Sequence, residues 1–488
     1  MKSNEVIVKV CSFIDFFTKE AIYPVAIDTY QRPYVWDTNK VQELINDFIE
    51  YLQEPNGLSY YMGSVLLHQH DEKQKLFIID GQQRLTTLSI LYYVLYGKLT
   101  DDSIMAMDYY SPLSARNIKN TQFLFEAKKE QWREKADYLF SNISITFITT
   151  FKEDLAFTFF DTQNNRGVKL NPTDLLKAYH LRAIGNAKYS KIQRNCASRW
   201  EKIQTYRTLF GEKNDFAAEL FHQFLWRARV WRGQRVIYRE DDTDVLNEFQ
   251  KNTLTSDSPD TIPLYSNQNN ILGQKLSINV NQGYTLHPAT IKSSNNSVHL
   301  PFTLRQPINK GLSFFLFSEK YADLVNYLFI EKKAEENEIN VFKNFYKQVW
   351  LNISLYLKEL FVLSIVIYYD KFGCMKLFEF ALWLDHVLGS IRIEKKCVFK
   401  ESPLKFIRES KNNLLDIISQ AFRPEEVILF LKKIDGVEEI YQNEKIERGK
   451  GVQGFYKDNI LNYYNKAEFT NKINWITESF IEEKRKIK

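Results

Sequence analysis

The stretch KLFIIDGQQRLTTLSILYYVLYGKL, residues 75–99, decides how the fold is read. Lys75 to Ile79 is a short apolar run of strand length, and Asp80-Gly81 is turn chemistry. Beyond the turn, Leu85, Leu88, Leu91, Tyr92 and Leu95 recur at helical spacing, so one face of a helix is apolar. The passage reads strand, Asp-Gly turn, helix. Its polar residues, Asp80 to Arg84, fall on the junction.

The same patterns extend to both sides. Tyr61 to His68 (YMGSVLLH) is a second β-rich run, and the charged HDEKQ between the two predicts a hairpin with a loop longer than two residues. Upstream, Val41, Leu44, Ile45 and Phe48 mark a helix with Asp37 or Thr38 as its cap, closed by Pro55 to Gly57. A strand-like VIVKV precedes it. Downstream, residues 103–150 read as helical and charged, with a β-like patch at Ile143 to Thr149. LAFTFFDTQNNRGVKLNPTDLLKAYHLRAIG then offers a second strand-to-loop-to-helix passage, with Asn171 capping, Pro172 at the first helical position and Asp174 in the first turn. Helical text runs on to about residue 240. The Asn-, Ser- and Thr-rich stretch from 250 to 300 reads as a connector or insertion with some β-hairpin, and long amphipathic helices follow, such as Val341 to Tyr369 and Met375 to Leu388. The expected fold class is α+β, predominantly helical. The expected domains are 1–240, a polar connector at 241–300, and a helical part at 301–488.

Composition narrows the classes. The 488 residues are 44% hydrophobic and 26% charged, which excludes a disordered chain. With only 17 Gly and 12 Pro, collagen-like and low-complexity readings fall away, and 36 Phe, 28 Tyr and 8 Trp promise large cores. A net charge of +5 is too small to argue nucleic-acid binding from bulk charge, so any such contact needs a local basic face. Cys11, Cys196, Cys374 and Cys397 form no C-x-x-C pair, so reduced thiols in cores are expected rather than a zinc ribbon or disulfides. The N-terminal residues lack a secretory pattern, and the apolar run Phe361 to Tyr369 is half of what a membrane-spanning helix needs. A soluble cytoplasmic protein without membrane contact is expected.

The junction carries chemistry. A helix start offers unpaired N–H groups and partial positive charge, which suit phosphate. Gly81 has no Cβ to block an anion, Arg84 is a planar phosphate partner, and Gln82 and Gln83 offer donors and acceptors. Asp80 can hold Mg²⁺ or orient a water, and Thr86 and Thr87 add hydroxyls. A plainer reading stands beside it, in which Asp80 caps the helix and Arg84 pairs with it on the surface. Residues 28–36, DTYQRPYVW, hold Arg32 in an extended conformation before Pro33. Aromatics beside Gln31 and Arg32 suit stacking on a base or sugar–phosphate edge. Tyr34 and Trp36 fit a buried aromatic cluster equally well. His68 and His70 share a strand face and read as a solvated strand end, whereas Asp385-His386 lies in an apolar helical stretch with no second histidine near in sequence.

In their order, YQRPYVW, YYMGSVLL, IIDGQQRLTTL and FFDTQNNRGVKLNPTDLLKAYHL resemble the ParB/sulfiredoxin-like domain of the GmrSD-type restriction proteins over residues 10–240, with further similar text in Pro301 to Phe315. The resemblance implies an N-terminal domain with a small sheet that hydrolyses an NTP with Mg²⁺ and couples this to DNA recognition and phage restriction. It carries Asp80, Gln83 and Arg84 over as catalytic residues, with Asp80 on the metal. Arg32, Gly63, Gly81, Gln82, Thr86, Thr87, Asn165, Arg166, Gly167 and Lys177 carry over to the nucleotide, and Tyr30 and Gln31 to DNA sensing. One departure matters. Many members bear a His-Asn-His nuclease centre, and none of the seven histidines here sits in that context. A separately encoded effector or nuclease subunit is therefore expected as partner. Two rivals remain: a non-catalytic nucleotide- or DNA-binding module, and a nuclease built on the ParB-like domain with Asp80 as metal ligand.

Overall fold

A computed structural model describes residues 6–28, 31, 33–53, 58–100, 105–109, 111–152, 171–185, 187–211, 215–234, 237–255, 258–265, 274–279, 283–288 and 297–486. The chain divides into two compact units, residues 1–182 with 190–201, and residues 183–189 with 202–488. The α+β, predominantly helical class holds: one small mixed sheet lies in the first unit, and helices dominate the second.

Six strands build that sheet: β1 (Val6–Ser12), β2 (Val25–Ala26), β3 (Tyr60–His70), β4 (Lys75–Asp80), β5 (Met105–Ala106) and β6 (Ile143–Thr150), in the order β1-β6-β3-β4-β2-β5. β3 and β4 are the expected hairpin, antiparallel from Leu66↔Asp80 to His70↔Lys75, with residues 71–74 as its loop. β6 runs parallel to β3 and antiparallel to β1.

Helix α1 (Thr38–Gln53) starts where the Asp37 carboxylate accepts the Lys40 N–H at 2.9 Å, as a cap should. It presents Val41, Leu44, Ile45, Phe48 and Leu52 to the core. Helix α2 (Gln82–Tyr96) follows β4 directly and buries Leu85, Leu88 and Leu91 completely. These residues, with Val65, Leu67, Leu76, Ile78, Ile145 and Phe147 from the strands, make one hydrophobic cluster. Alternation along β4 thus sends Leu76 and Ile78 into this cluster and Phe77 and Ile79 to the opposite face. Helix α3 (Pro112–Glu126), α4 (Pro172–Ile184) and α5 (Ser190–Gln204) complete the elements around the site. Asn171 caps α4 as expected, its Oδ1 3.4 Å from the Thr173 N–H.

In the second unit, β7 (Gln274–Asn279) and β8 (Gly283–Pro288) pair antiparallel, which is the hairpin anticipated within the polar stretch. Its core includes α6 (Leu312–Val325), α7 (Leu355–Phe372), α8 (Leu377–Glu394) and α9 (Gly451–Tyr464). Asp385 and Lys472 are both fully buried there and meet at 3.0 Å. The Asp385 carboxylate also accepts from Trp350 Nε1 at 3.0 Å and the Tyr456 hydroxyl at 2.8 Å, so the buried charges are paired and hydrogen-bonded. Among the described residues no helix is long and apolar enough to cross a membrane. The thiols differ from the expectation of core burial: Cys196 is buried, Cys11 and Cys374 are half-buried, and Cys397 is exposed.

Candidate functional site

Asp80 ends β4 and Gly81 turns the chain into α2. Gly81 has φ +90°, left-handed backbone that favours glycine, and no side chain caps the helix there. A Cβ on Gly81 would stand 2.7 Å from Val65 Cγ2, so the glycine is required first by the close passage of β3. Gly63 on β3 has φ +100°, and a Cβ there would lie 3.1 Å from Arg84 Nη1. The space it leaves is filled by the Arg84 guanidinium.

The motif's side chains point in different directions. Arg84 Nη2 donates to Ser64 O at 2.5 Å and to Asp80 Oδ2 at 3.4 Å, while its buried Nε has no partner. The Asp80–Arg84 pair of the plainer reading therefore exists, partly exposed. Gln83 turns to the 33–36 segment: its Oε1 accepts from the Val35 N–H at 2.8 Å and the Trp36 N–H at 3.3 Å, and its Nε2 donates to Pro33 O at 3.0 Å. Both ends of this amide are occupied by backbone. Thr86 and Thr87 back-bond to Gln82 O and Gln83 O, at 2.7 and 2.8 Å. Their hydroxyls also meet Tyr109 and Tyr34 respectively. Tyr34 is fully buried and Trp36 packs against the core, as the aromatic-cluster reading had it.

Gln31 is stitched to the same junction, its Nε2 donating to Ile78 O at 2.8 Å and Ile79 O at 3.0 Å. Lys177, buried on α4, donates to Gln31 O at 3.4 Å and pairs with Glu201 at 3.1 Å. Gln31 and Gln82 line a cleft of about 240 Å³ within the first unit, together with Asp28, Asp108, Tyr109 and Arg194. The structure thus gathers Gln31, Gln82 and, through Gln31, Lys177, and separately gathers Asp80, Arg84 and Gly63. Tyr30, Arg32, Asn165, Arg166 and Gly167 lie outside the described residues.

His68 requires a correction. It is 7% exposed rather than solvated, because β3 runs into the middle of the sheet. Burial, with the neighbouring His70, brings its pKa down to about 4. Tyr109 is shifted upward by burial. The cleft residues Asp108, Tyr109, Arg194 and Asn195 were not singled out in the sequence. None carries a local signal there, since α5 brings Arg194 and Asn195 in from more than a hundred residues beyond the motif.

An Mg²⁺–nucleotide can be tested against this donor set. Asp80 is a hard oxygen ligand beside an uncapped helix start, and Mg²⁺ commonly takes one or two carboxylates plus substrate phosphates, so the residues fit it. Among the described residues no three His, Cys, Asp or Glu side chains converge on a metal site.

Residues 13–181 match the family described as GmrSD restriction endonuclease, N-terminal domain. Residues 192–448, more than half of the chain, match a family of unknown function, DUF7834. No curated protein matches the chain.

Proposed function

Since the chain belongs to the DUF7834 family and carries a GmrSD-type restriction domain at residues 13–181, we propose that it is the nucleotide-responsive component of a DNA-restriction or anti-phage system. The reading is of an NTP hydrolase whose nucleotide state governs contact with DNA or with a separate effector. The observation that carries it is the β4–α2 junction. There the N–H groups of an uncapped fifteen-residue helix, the Asp80 carboxylate and the Arg84 guanidinium lie within one turn of chain.

Each group has a chemical task. The first-turn N–H groups and the helix dipole hold phosphate oxygens. Arg84 has an unpartnered Nε and offsets negative charge that builds on the transferred phosphoryl group. Asp80 holds Mg²⁺, which would neutralise phosphate charge when bound, or orients the attacking water. Attack on the terminal phosphorus breaks its bond to the bridging oxygen and releases phosphate and a nucleoside diphosphate. Gln83, Thr86 and Thr87 serve by positioning, because their polar atoms fix the 33–36 segment and α2. Gln31 ties the proposed DNA-sensing segment to the carbonyls just before Asp80, which supports coupling between the two.

Phosphate release from the four NTPs with Mg²⁺ tests the reading. Asp80→Ala and Arg84→Ala are expected to lose most of the wild-type rate. Equal rates in all three proteins would remove the hydrolytic reading, and binding without turnover would favour a non-catalytic sensor.

A further inference from the structure

The cleft beside α2 is lined by acceptors. Among the described lining residues Asp108 and Glu201 carry carboxylates, Glu201 paired with Lys177, and Arg194 carries a cation. A phosphate set against the exposed Asp108 carboxylate in this cleft would be repelled by it. The cleft volume of about 240 Å³ is also below the usual range for a whole drug-sized ligand.

Three further features define what would fit. Asp108 and Arg194 are exposed charges of opposite sign with no hydrogen-bond or ion-pair partner among the described residues, so the cleft presents a strong acceptor and a planar donor fork together. The Gln31 Nε2 is committed to Ile78 O and Ile79 O, which leaves its Oε1 for an occupant. Pro33, Ile27 and Ala197 add an apolar wall. A neutral, flat molecule whose edge carries N–H donors and carbonyl or ring-nitrogen acceptors satisfies all three. Nucleobases have such edges, read by carboxylates on amino groups and by arginine on carbonyl and ring nitrogen.

We infer that this cleft binds the nucleoside part of a nucleotide, with Asp108 accepting from the base or sugar and Arg194 donating to the base. The inference rests on the nucleotide reading above and adds that the base and the phosphates are held by different residues. Gln82 joins the two places, lining the cleft from the first position of α2.

Calorimetry on the full chain tests it, with adenosine, guanosine, cytidine, uridine, their triphosphates, inorganic tripolyphosphate and a single-stranded oligonucleotide as probes. At least one nucleoside should bind wild type, and its triphosphate should bind more tightly than tripolyphosphate. Asp108→Ala and Arg194→Ala, both exposed positions that leave the fold intact, should weaken that nucleoside about tenfold or more and leave tripolyphosphate unchanged. Tripolyphosphate binding as tightly as the triphosphate, unchanged nucleoside affinity in both variants, or binding of the oligonucleotide alone would overturn the assignment. Loss of phosphate release in no Asp80 or Arg84 variant, with nucleoside binding intact, would instead sink only the hydrolytic reading.

Discussion

Gln83 Oε1 accepts the Val35 N–H at 2.8 Å, joining the start of α2 to a segment 48 residues earlier. With the bonds to Trp36 and Pro33, this amide is a clamp whose oxygen and nitrogen are both used. Gln83→Ala would leave buried backbone groups unsatisfied and should destabilise the first unit by about 2–3 kcal/mol. A lower melting temperature together with reduced phosphate release is expected. Wild-type stability with a lost rate would instead make Gln83 a catalytic group.

Gly81 bears two constraints at once. Its φ of +90° disfavours any Cβ, and that Cβ would stand 2.7 Å from Val65 Cγ2. Gly81→Ala should cost about 2–4 kcal/mol, and adding Val65→Ala should recover the steric part only. Thermal unfolding of the single and double variants measures this. Full recovery in the double variant would show that backbone conformation contributes nothing.

In the second unit, Asp385→Ala would strand the fully buried Lys472 ammonium without its carboxylate. A loss of about 3–5 kcal/mol is expected, and Asp385→Leu with Lys472→Met should recover only part of it, because Trp350 Nε1 and the Tyr456 hydroxyl still lose their carboxylate acceptor. Gly389→Ala belongs to the same prediction, because its Cβ would fall 1.7 Å from the Tyr456 hydroxyl that bonds Asp385. Denaturant unfolding of these variants should find the pair-replaced protein more stable than either broken pair; the reverse order would contradict the account.

His68 sets a pH dependence. Burial and His70 depress its pKa to about 4 from 6.5, so the folded state resists a proton that the unfolded chain accepts. The stability it contributes is present above pH 6.5 and is lost as pH falls toward 4. Wild type should lose about 2 kcal/mol more than His68→Leu between pH 7.5 and pH 5. An equal loss in both proteins would place His68 in water.

Much of this was legible in the sequence. The apolar run of β4, the leucine period of α2 and the Asp37 and Asn171 caps depend on neighbours in the chain, and local pattern reads them well. What was hidden depends on partners distant in sequence. The burial of His68 follows from β6 lying beside β3, and Gln83 looks like a ligand until the 33–36 backbone is seen to fill both ends of its amide. Gly63 was carried over to the nucleotide, and only the fold shows that the Arg84 guanidinium, 21 positions later, packs against it. The cleft residues Asp108 and Arg194 come to line one cleft only through tertiary structure.

Amide hydrogen exchange with and without a non-hydrolysable Mg²⁺–triphosphate tests the central claim most directly. The account predicts new protection concentrated in the peptides covering residues 80–87 and 28–36, abolished by Asp80→Ala. Protection confined to other parts of the chain, or unchanged by Asp80→Ala, would contradict it.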